Sequence, residues 1–369
     1  MAGNNKNTVF FTGGHGGSAA YAVIEKLVGK DIDIHWIGPK YAYEDKKYLS
    51  FEFRSFPKLG VTCHAIRSGR IHRKFGKNTI VSFFKLPLGF LAAMKIVFFK
   101  RPKLVVSFGG FAAFPVVFAA KIMGSRVFIH EQTVGAGLSN KVSSFFADRI
   151  FLARKSSLKY FPRKKSVLVG NPVRWSVLSI KPKTRISSPP VILVTCGSRG
   201  SQVVNAALKP ILRDILEHYR LIHQTGDPDY KEIELIRSTL DPKFRKRYEI
   251  YRFLDPDLMA SFLDESDIVV SRAGANTVSE LIIAGRLSIL IPIPWVQRNE
   301  QFKNAKLMAK CKLGVILKQE ELTSESLLKT INDLFENWHS MVSRTRKLDL
   351  GDRTASEKIS KEILNAIKK

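Results

Sequence analysis

The first half of the chain alternates short apolar runs with longer amphipathic segments. Thr8–Thr12 reads as a buried strand, and Gly13–Gly17 forms a glycine-rich turn directly after it. A helix follows, with Ser18 as its predicted N-cap. Ile32–Ile37 then alternates as a second strand. This order predicts a βαβ unit whose glycines lie at the turn from strand to helix.

The same alternation recurs to the end of the chain and predicts a parallel sheet in each half. Further strands are expected at Leu104–Ser107, Val127–His130, Val191–Thr195, Leu221–His223, Ile250–Phe253, Ile268–Ser271 and Ser288–Ile291. Helices are expected at Gln202–Leu212 and Thr354–Ile367, and Lys181–Pro190 has the composition of a linker. We therefore predict an α/β protein with two Rossmann-like domains, residues 1–175 and 176–353, facing a cleft. The last helix, about 354–369, is expected to pack back on the first domain.

Positive charge is concentrated in the first half. Residues 1–175 contain 29 Lys and Arg against 8 Asp and Glu, net +21, whereas residues 176–369 contain 31 against 24, net +7. A basic run at Arg67–Lys77, apolar residues within Phe83–Leu91 and a second basic group at Lys95–Lys103 follow one another. This combination predicts docking on an anionic membrane surface. The alternative is a buried helix whose basic side chains face solvent.

Several protein classes are disfavoured. The three cysteines, Cys63, Cys196 and Cys311, are widely spaced, which argues against a disulfide framework and suits a reducing cytoplasm. We expect no signal peptide and no spanning helix, because no apolar window reaches the required length. No metal is expected, since the sequence lacks an HxH motif and any Cys/His cluster at ligand spacing. Nucleic acid is not expected as a partner, and no oligomeric state is indicated.

The glycine turns Gly13–Gly17 and Gly197–Gly200 would place backbone N–H groups and a helix N-terminus where a diphosphate binds well. A dinucleotide oxidoreductase would need GxGxxG and an acid after the second strand, but here that strand ends in Ile37-Gly38-Pro39. The Gly-Lys-Ser/Thr of a P-loop is absent. The pattern therefore favours group transfer from a nucleotide-linked donor.

Segments along both halves resemble, in order, the motifs of the MurG family of N-acetylglucosamine transferases. The matching segments are Thr12–Gly17, Ser68–Arg73, Phe108–Phe111 with Pro115, His130–Gln132 with Gly137–Lys141, Gly170–Arg174, Gly197–Ser198, Ser271–Gly274 with Thr277–Glu280, and Pro292 with Asn299–Gln301 and Asn304–Ala305. The resemblance implies the two-domain GT-B architecture. It also implies inverting transfer of N-acetylglucosamine from UDP-GlcNAc to lipid I, a polyprenyl-diphosphate-linked muramoyl sugar, giving lipid II for peptidoglycan. The enzyme would be peripheral, at the cytoplasmic face of the membrane, and would need no cofactor.

The resemblance also implies the donor site. Glu280 would accept hydrogen bonds from the uridine ribose hydroxyls, and Leu254 would contact the uracil through its backbone. Thr277 and Ser198 would hold the diphosphate. The remaining donor-side residues are Arg174, which would add charge, and Glu300 and Gln301, which would face the sugar hydroxyls. Four of them have an ordinary structural alternative: Glu280 as a helix-start carboxylate, Thr277 and Ser198 as helix caps, and Arg174 as a salt-bridge partner.

On the acceptor side, the predicted substrate-binding residues are Gly14, His15, Gly16, Gly17 and Thr133. The family's first turn usually reads GGTGGH, whereas this chain has His15 at the threonine and Ser18 at the final histidine. The general base is therefore expected to be His15 or Glu131, unless catalysis depends chiefly on stabilising the departing diphosphate.

Thr133 and Phe111 replace the asparagine and the tyrosine that the family usually has, and these changes concern the acceptor rather than the UDP-sugar. Three alternatives remain open: a related UDP-sugar transferase for another membrane lipid, a non-catalytic UDP-sugar-binding protein, and a basic nucleic-acid binder.

Overall fold

The structure is a computed structural model that describes residues 7–14, 16–43, 46–66, 77–346 and 348–368, with residues 77–87 and 297 described by their backbone alone. The chain divides into two compact units. The first contains residues 1–175 and 350–369, and the second contains residues 176–349.

The first unit is built on a seven-stranded parallel sheet in the order β3-β2-β1-β4-β5-β6-β7. Its elements are β1 Asn7–Thr12, α1 Gly17–Glu25, β2 Ile32–Gly38, α2 Phe51–Ser55, β3 Thr62–Ala65, α3 Lys77–Lys100, β4 Leu104–Ser107, α4 Ala113–Ile122, β5 Arg126–Glu131, α5 Leu138–Ser143, β6 Arg149–Leu152 and β7 Ser166–Leu168. This strand order is that of a doubly wound nucleotide-binding fold, with its topological switch point between β1 and β4.

The second unit repeats the plan around a six-stranded parallel sheet in the order β10-β9-β8-β11-β12-β13. After α6 Trp175–Leu178, which joins the units, its elements are β8 Val191–Thr195, α7 Gln202–Leu208, α8 Leu212–His218, β9 Arg220–Gln224, α9 Tyr230–Ser238, α10 Pro242–Arg245, β10 Tyr248–Tyr251, α11 Pro256–Glu265, β11 Ile268–Ser271, α12 Ala275–Ala284, β12 Leu287–Leu290, α13 Glu300–Lys310, β13 Gly314–Ile316, α14 Ser324–Glu336 and α15 Trp338–Ser343. The last helix, α16 Asp352–Lys368, returns to the first unit. The predicted fold class, α/β with two Rossmann-like domains, is confirmed.

Three local predictions were wrong. Helix α1 begins at Gly17 with Gly16 as its N-cap, so Ser18 lies inside the first turn. The helix expected over 202–212 ends at Leu208, because a 3-10 turn containing Pro210 interrupts it before α8. Lys181–Pro190 is not the linker between the units: it lies in the second unit, where the Lys183 ammonium is 2.8 Å from Asp267 Oδ1.

Two apolar cores cover the faces of the first sheet. On one face, Val9, Phe11 and Trp36 pack with residues of α1 and with Ile359 and Ile363 of α16. On the other face, Phe10 and Val105 pack with buried residues of α3 and α4. Because both faces are covered, the strands read as continuous apolar runs.

A buried ion pair fixes α16 in the first unit. Arg154 Nη1 and Nη2 donate to the two carboxylate oxygens of Asp352, over 2.6 and 2.9 Å. Asp352 Oδ1 also accepts from the backbone N–H of Asn171 at 2.8 Å. The adjacent backbones touch as well, since a Cβ on Gly170 would lie 2.4 Å from the carbonyl carbon of Gly351. Both side chains are buried, so water could not solvate either charge if its partner were removed.

We predict that Asp352→Asn lowers the free energy of unfolding by about 3–5 kcal/mol, because it leaves the Arg154 cation buried and uncompensated. Chemical denaturation of the full chain measures the change. The matched control is Glu362→Gln on the same helix, which weakens an exposed pair with Arg149 at 3.8 Å and should cost under about 0.5 kcal/mol. Equal effects of the two variants would contradict the assignment.

Candidate functional site

Two glycine turns meet at the switch point of the first sheet. The turn after β1 and the turn after β4 are joined by a hydrogen bond from Gly14 N to Gly109 O, at 2.8 Å. Gly109 and Gly110 have φ of +79° and +90°, and a Cβ on Gly110 would lie 2.7 Å from Gly14 Cα. No side chain fits between these backbones. The edge therefore presents peptide groups at the position where doubly wound folds bind ligands.

Gly16 and Gly17 continue this close packing into α1. A Cβ on Gly16 would lie 2.5 Å from Gln132 Nε2, which donates to Phe108 O at 3.5 Å. Gly16 is the N-cap of α1 and provides no side-chain hydrogen bond. His15, the predicted base and substrate-binding residue, lies outside the described residues.

Glu131 holds the turn that follows β5. Its side chain is buried, with the residue 2% exposed, and its Oε1 accepts from Thr133 N and Thr133 Oγ1 at 3.1 and 2.8 Å. Its Oε2 accepts from Gly137 N at 2.9 Å and from Asn140 Nδ2 at 3.0 Å. The carboxylate thus has four donors, and the hydroxyl of Thr133 is used within the turn. Proton transfer to Glu131 would require this network to rearrange.

His130, the residue before Glu131, is a buried neutral group. Burial lowers its pKa to about 4, and the cation of Arg154 acts in the same direction, while the hydrogen bond to Gly170 O opposes the shift. Its Nε2 lies 3.1 Å from Gly170 O. His130 therefore links β5 to the chain segment 170–174 without carrying charge at neutral pH.

Arg174 ends that segment and belongs to the first unit. It is 4% exposed, and the next residue, Trp175, donates its backbone N–H to Glu25 Oε2 at 2.9 Å. A buried guanidinium at this position is held by its surroundings rather than extended into solvent.

Glu52, an acid in α2, is a candidate that the sequence pattern does not reveal. It is 5% exposed, and burial raises its pKa from 4.5 to about 7, although hydrogen bonds from its own backbone amide and from Ser50 act to lower it. Its Oε1 lies 2.5 Å from the position that a Cβ of Gly17 would occupy. The structure thus places a buried, titratable carboxyl directly against the start of α1.

In the second unit, the carboxyl ends of the strands gather the predicted donor residues. All strands are parallel, so the segments that follow β8, β10, β11 and β12 leave the sheet at the same edge. These segments carry Ser198, Leu254, Thr277, Glu280, Glu300 and Gln301. Leu254 is 3% exposed, so its side chain belongs to the core.

Thr277 and Glu280 lie three residues apart in α12, on one side of its first turns. Both are half-buried. The N-cap of α12 is Gly274, which makes no side-chain cap, and a Cβ there would lie 3.7 Å from Thr277 Oγ1. The start of α12 thus offers backbone N–H groups, a hydroxyl and a carboxylate together.

The segment that leads into α13 is braced against the segment after β11. Arg272 Nη1 donates to Ile291 O at 3.1 Å, and Asn304 Nδ2 donates to Ala273 O at 3.1 Å. Arg272 lies in the Ser271–Gly274 segment, but the sequence alone does not predict this bond. Gln301 Oε1 accepts from Ile293 N at 3.0 Å, which leaves its amide NH₂ as the donor for a ligand. These bonds fix the two predicted donor-binding segments relative to each other.

Comparison with known proteins agrees with this architecture. Residues 8–152 match the glycosyltransferase family 28 N-terminal domain, and residues 191–363 match the family 28 C-terminal domain. The chain is 33% identical over 359 residues to the UDP-N-acetylglucosamine–N-acetylmuramyl-(pentapeptide) pyrophosphoryl-undecaprenol N-acetylglucosamine transferase of Clostridium perfringens, covering 94% of this chain and 95% of the relative. It is 29% identical to the protein of the same name in Borreliella burgdorferi, covering 99% and 98%.

Among solved structures, MurG of Acinetobacter baumannii matches with a TM-score of 0.65 and 24% identity, covering 97% of this chain and 99% of that one. This similarity shows a shared fold, consistent with the GT-B class.

We predict that Glu131→Gln lowers the free energy of unfolding by about 3 kcal/mol, because the amide cannot accept from all four buried donors. Denaturation of the full chain measures this loss. Glu320→Gln, which alters an exposed pair with Lys318, should change stability by under about 0.5 kcal/mol. A stable Glu131→Gln variant would mean that the carboxylate is free for another role.

Proposed function

The chain belongs to the MurG family within glycosyltransferase family 28, and we propose that it transfers N-acetylglucosamine from UDP-GlcNAc to lipid I. The observation that carries this proposal is the similarity over nearly the whole chain to transferases of that name, in both units. The two sheets support it, since each presents glycine turns and a helix start at its switch point.

We assign the donor to the second unit. Glu280 accepts both ribose hydroxyls, because one carboxylate has enough lone pairs for two donors. Thr277, Ser198 and the N–H groups at the start of α12 hold the diphosphate. Arg174 is buried in the first unit, and the positive charge expected from it stays a prediction. Gln301, with Glu300, binds the sugar hydroxyls through the amide group that its bond to Ile293 N leaves available.

The acceptor diphosphate binds at the first glycine turn, through the peptide groups of Gly14, Gly16 and Gly17. Of the two candidate bases, Glu131 already accepts four hydrogen bonds and is assigned to holding the turn. Thr133 donates two of those hydrogen bonds, so we assign it to holding the turn rather than to direct contact with the acceptor. The base role falls to His15, which takes the proton of the acceptor hydroxyl as that hydroxyl attacks the anomeric carbon.

The reaction inverts the anomeric carbon, because the acceptor attacks opposite to the departing UDP. The charge that develops on the diphosphate is stabilised by backbone N–H donors and by the N-terminal end of α12. We expect no metal requirement, since these groups supply the electrostatic stabilisation.

The membrane-facing surface is assigned to α3 and α5 of the first unit. Leu88, Leu91 and Phe99 recur at helical spacing on α3 and are 59%, 66% and 72% exposed, with Lys95 in the same stripe. Phe90 instead packs its ring against Phe114 and Phe118 of α4. On α5, Leu138 and Val142 are exposed, and Phe145 after it is 77% exposed. Apolar side chains beside cations fit an anionic leaflet.

In the part of the chain that the structure describes, no helix combines the length and apolar character needed to span a membrane. The basic run at 67–74 lies outside the described residues. We propose peripheral attachment at the cytoplasmic face, where a UDP-sugar and a lipid-linked acceptor meet.

A turnover assay tests the function. Purified protein is supplied with UDP-GlcNAc and lipid I, with and without a metal chelator, and the glycosylated lipid is measured. We expect transfer in both conditions, with an inverted product linkage. Transfer only to another polyprenyl diphosphate or to a diacylglycerol would show that lipid I is not the acceptor. Binding of UDP-GlcNAc without turnover on any acceptor would show that the protein binds the UDP-sugar without catalysis.

We predict that Glu280→Ala weakens UDP-GlcNAc binding by about 10- to 100-fold, because hydrogen bonds to a charged group contribute about 1.5–3 kcal/mol. Calorimetric titration of the folded variant measures the loss. Glu325→Ala, an acid in the first turn of α14 in the same unit, is the control and should bind as the wild type does. Unchanged affinity of Glu280→Ala would remove the donor assignment.

We predict that replacing Leu91 and Phe99 together by Glu lowers the affinity for vesicles containing anionic lipid at least about 10-fold, because apolar insertion is lost and like charge is added. Co-sedimentation measures binding. Leu235→Glu, on α9 of the second unit and 67% exposed, is the control. Equal binding of the two variants would exclude α3 as the docking surface.

A further inference from the structure

A buried acid lies behind the first glycine turn. Glu52 Oε1 is 2.5 Å, and its Cδ 2.9 Å, from the position that a Cβ of Gly17 would occupy. The ring of Phe51 closes the same space, with Cδ1 at 2.7 Å. A side chain at position 17 would displace the Glu52 carboxyl group, which therefore rests on the first residue of α1.

In the described part of the chain, the Glu52 carboxyl forms no ion pair. Burial raises its pKa to about 7, and the bonds from its own amide and from Ser50 only partly oppose the shift. The nearby thiol of Cys63 on β3 has a pKa raised to about 12, by burial and by the negative charge of Glu52. Near neutral pH, Glu52 therefore exchanges between its neutral and ionised forms, whereas Cys63 stays neutral.

Other ionisable groups lie on the elements that pack against Glu52. Tyr21 on α1 contacts the rings of Phe51 and Phe56, and Arg54 on α2 donates to Leu49 O at 3.0 Å. Lys58, in the 3-10 turn after α2, is exposed. His15 lies outside the described residues, and it is the other group near this turn whose ordinary pKa is close to neutral.

Two buried polar atoms next to the turn, one at the end of β1 and one on β2, are satisfied by no group in the described residues. Thr12 Oγ1, directly before the glycines, and Trp36 Nε1 are fully buried and lack a partner there. The Trp36 ring lies under the turn, with Cη2 3.1 Å from the Cβ position of Gly13. Buried polar groups without partners are uncommon and call for an explanation, and a bound ligand is one.

Resting on the proposed function, we propose that Glu52 is a positioning residue that couples acceptor binding at the first glycine turn to the uptake of one proton. The start of α1 favours one negative charge, and both the ionised carboxylate and the acceptor diphosphate compete for it. A bound diphosphate therefore favours the neutral carboxyl, and by linkage the neutral carboxyl favours the diphosphate. Glu52 touches Gly17 rather than the reacting atoms.

Acceptor affinity should fall as the pH rises. Below about pH 7 Glu52 is neutral and acceptor binding is tight. Above it, binding must first return a proton to the carboxylate, so affinity falls by up to about tenfold per pH unit until the pKa of the complex is reached. A diphosphate esterified at both ends has no proton to lose in this range, unlike a phosphate monoester with a second pKa of about 6.

The experiment titrates the full-length protein with a short-chain polyprenyl-diphosphoryl muramoyl-pentapeptide, without UDP-sugar, from about pH 6 to about pH 9. For the wild type we expect the Kd to rise about tenfold between about pH 7 and about pH 8.5. For Glu52→Gln, which mimics the neutral acid, we expect a Kd that stays near the wild-type value at low pH throughout. Parallel pH profiles of the two proteins would overturn the coupling.

Thermal melting shows whether the variant folds and whether Glu52 titrates. A raised pKa in the folded state means that wild-type stability falls as the pH rises from about 4.5 through about 7. Glu52→Gln should lack this fall and melt no lower than the wild type at about pH 8. If Glu52→Gln loses the fall of the melting temperature with pH but keeps the rise of the acceptor Kd with pH, Glu52 titrates without affecting acceptor binding and the proposal is wrong.

Two further measurements identify the source of any slope. The His15→Gln variant should keep the rise of the acceptor Kd with pH that the wild type shows. If that rise disappears in His15→Gln but remains in Glu52→Gln, the proton is taken up by His15 instead. UDP-GlcNAc binding should show the same pH profile in wild type and Glu52→Gln. A wild-type protein that binds no lipid-linked acceptor at any pH would refute the proposed function itself, which is a different result from equal slopes.

Discussion

The direct contact between backbones at the switch point of the first sheet is the constraint on which the acceptor half depends. Gly110 approaches Gly14 so closely that it cannot carry a Cβ, and a hydrogen bond from Gly14 N to Gly109 O joins the two turns. Peptide groups rather than side chains therefore form this surface. In the function we propose, such a surface binds by charge and shape, and Glu52, which lies against Gly17, makes that binding depend on pH.

Much of the fold could be predicted because the central strands are buried on both faces. β4, β8 and β11 have the predicted bounds, since continuous apolar runs between turn residues leave little choice. The strands that were missed include β3, β7 and β13, at the edges of the sheets. Their residues are mostly half-exposed or exposed, so their sequences lack the apolar run that marks a buried strand.

For the candidate site, the sequence could predict which residues share a sheet edge, while their roles stay predictions. The carboxyl ends of parallel strands share an edge, so residues such as Ser198 and Thr277 could be grouped before the structure was known. The sequence could not predict features that depend on burial. Nothing local distinguishes Glu52 from a surface acid in α2, and its shifted pKa arises only when α2 packs on α1. Similarly, the four donors of Glu131 come from a turn whose conformation the sequence does not state.

The ion pair between Arg154 and Asp352 has a consequence for how the protein is made. The first unit is discontinuous in sequence, because α16 fills its core with Ile359, Ile363 and Ile367. These residues leave the ribosome after the whole of the second unit. The unit whose synthesis begins first therefore completes its fold only after the second unit has been made, and until α16 emerges its apolar sheet face and the Arg154 cation lack their partners.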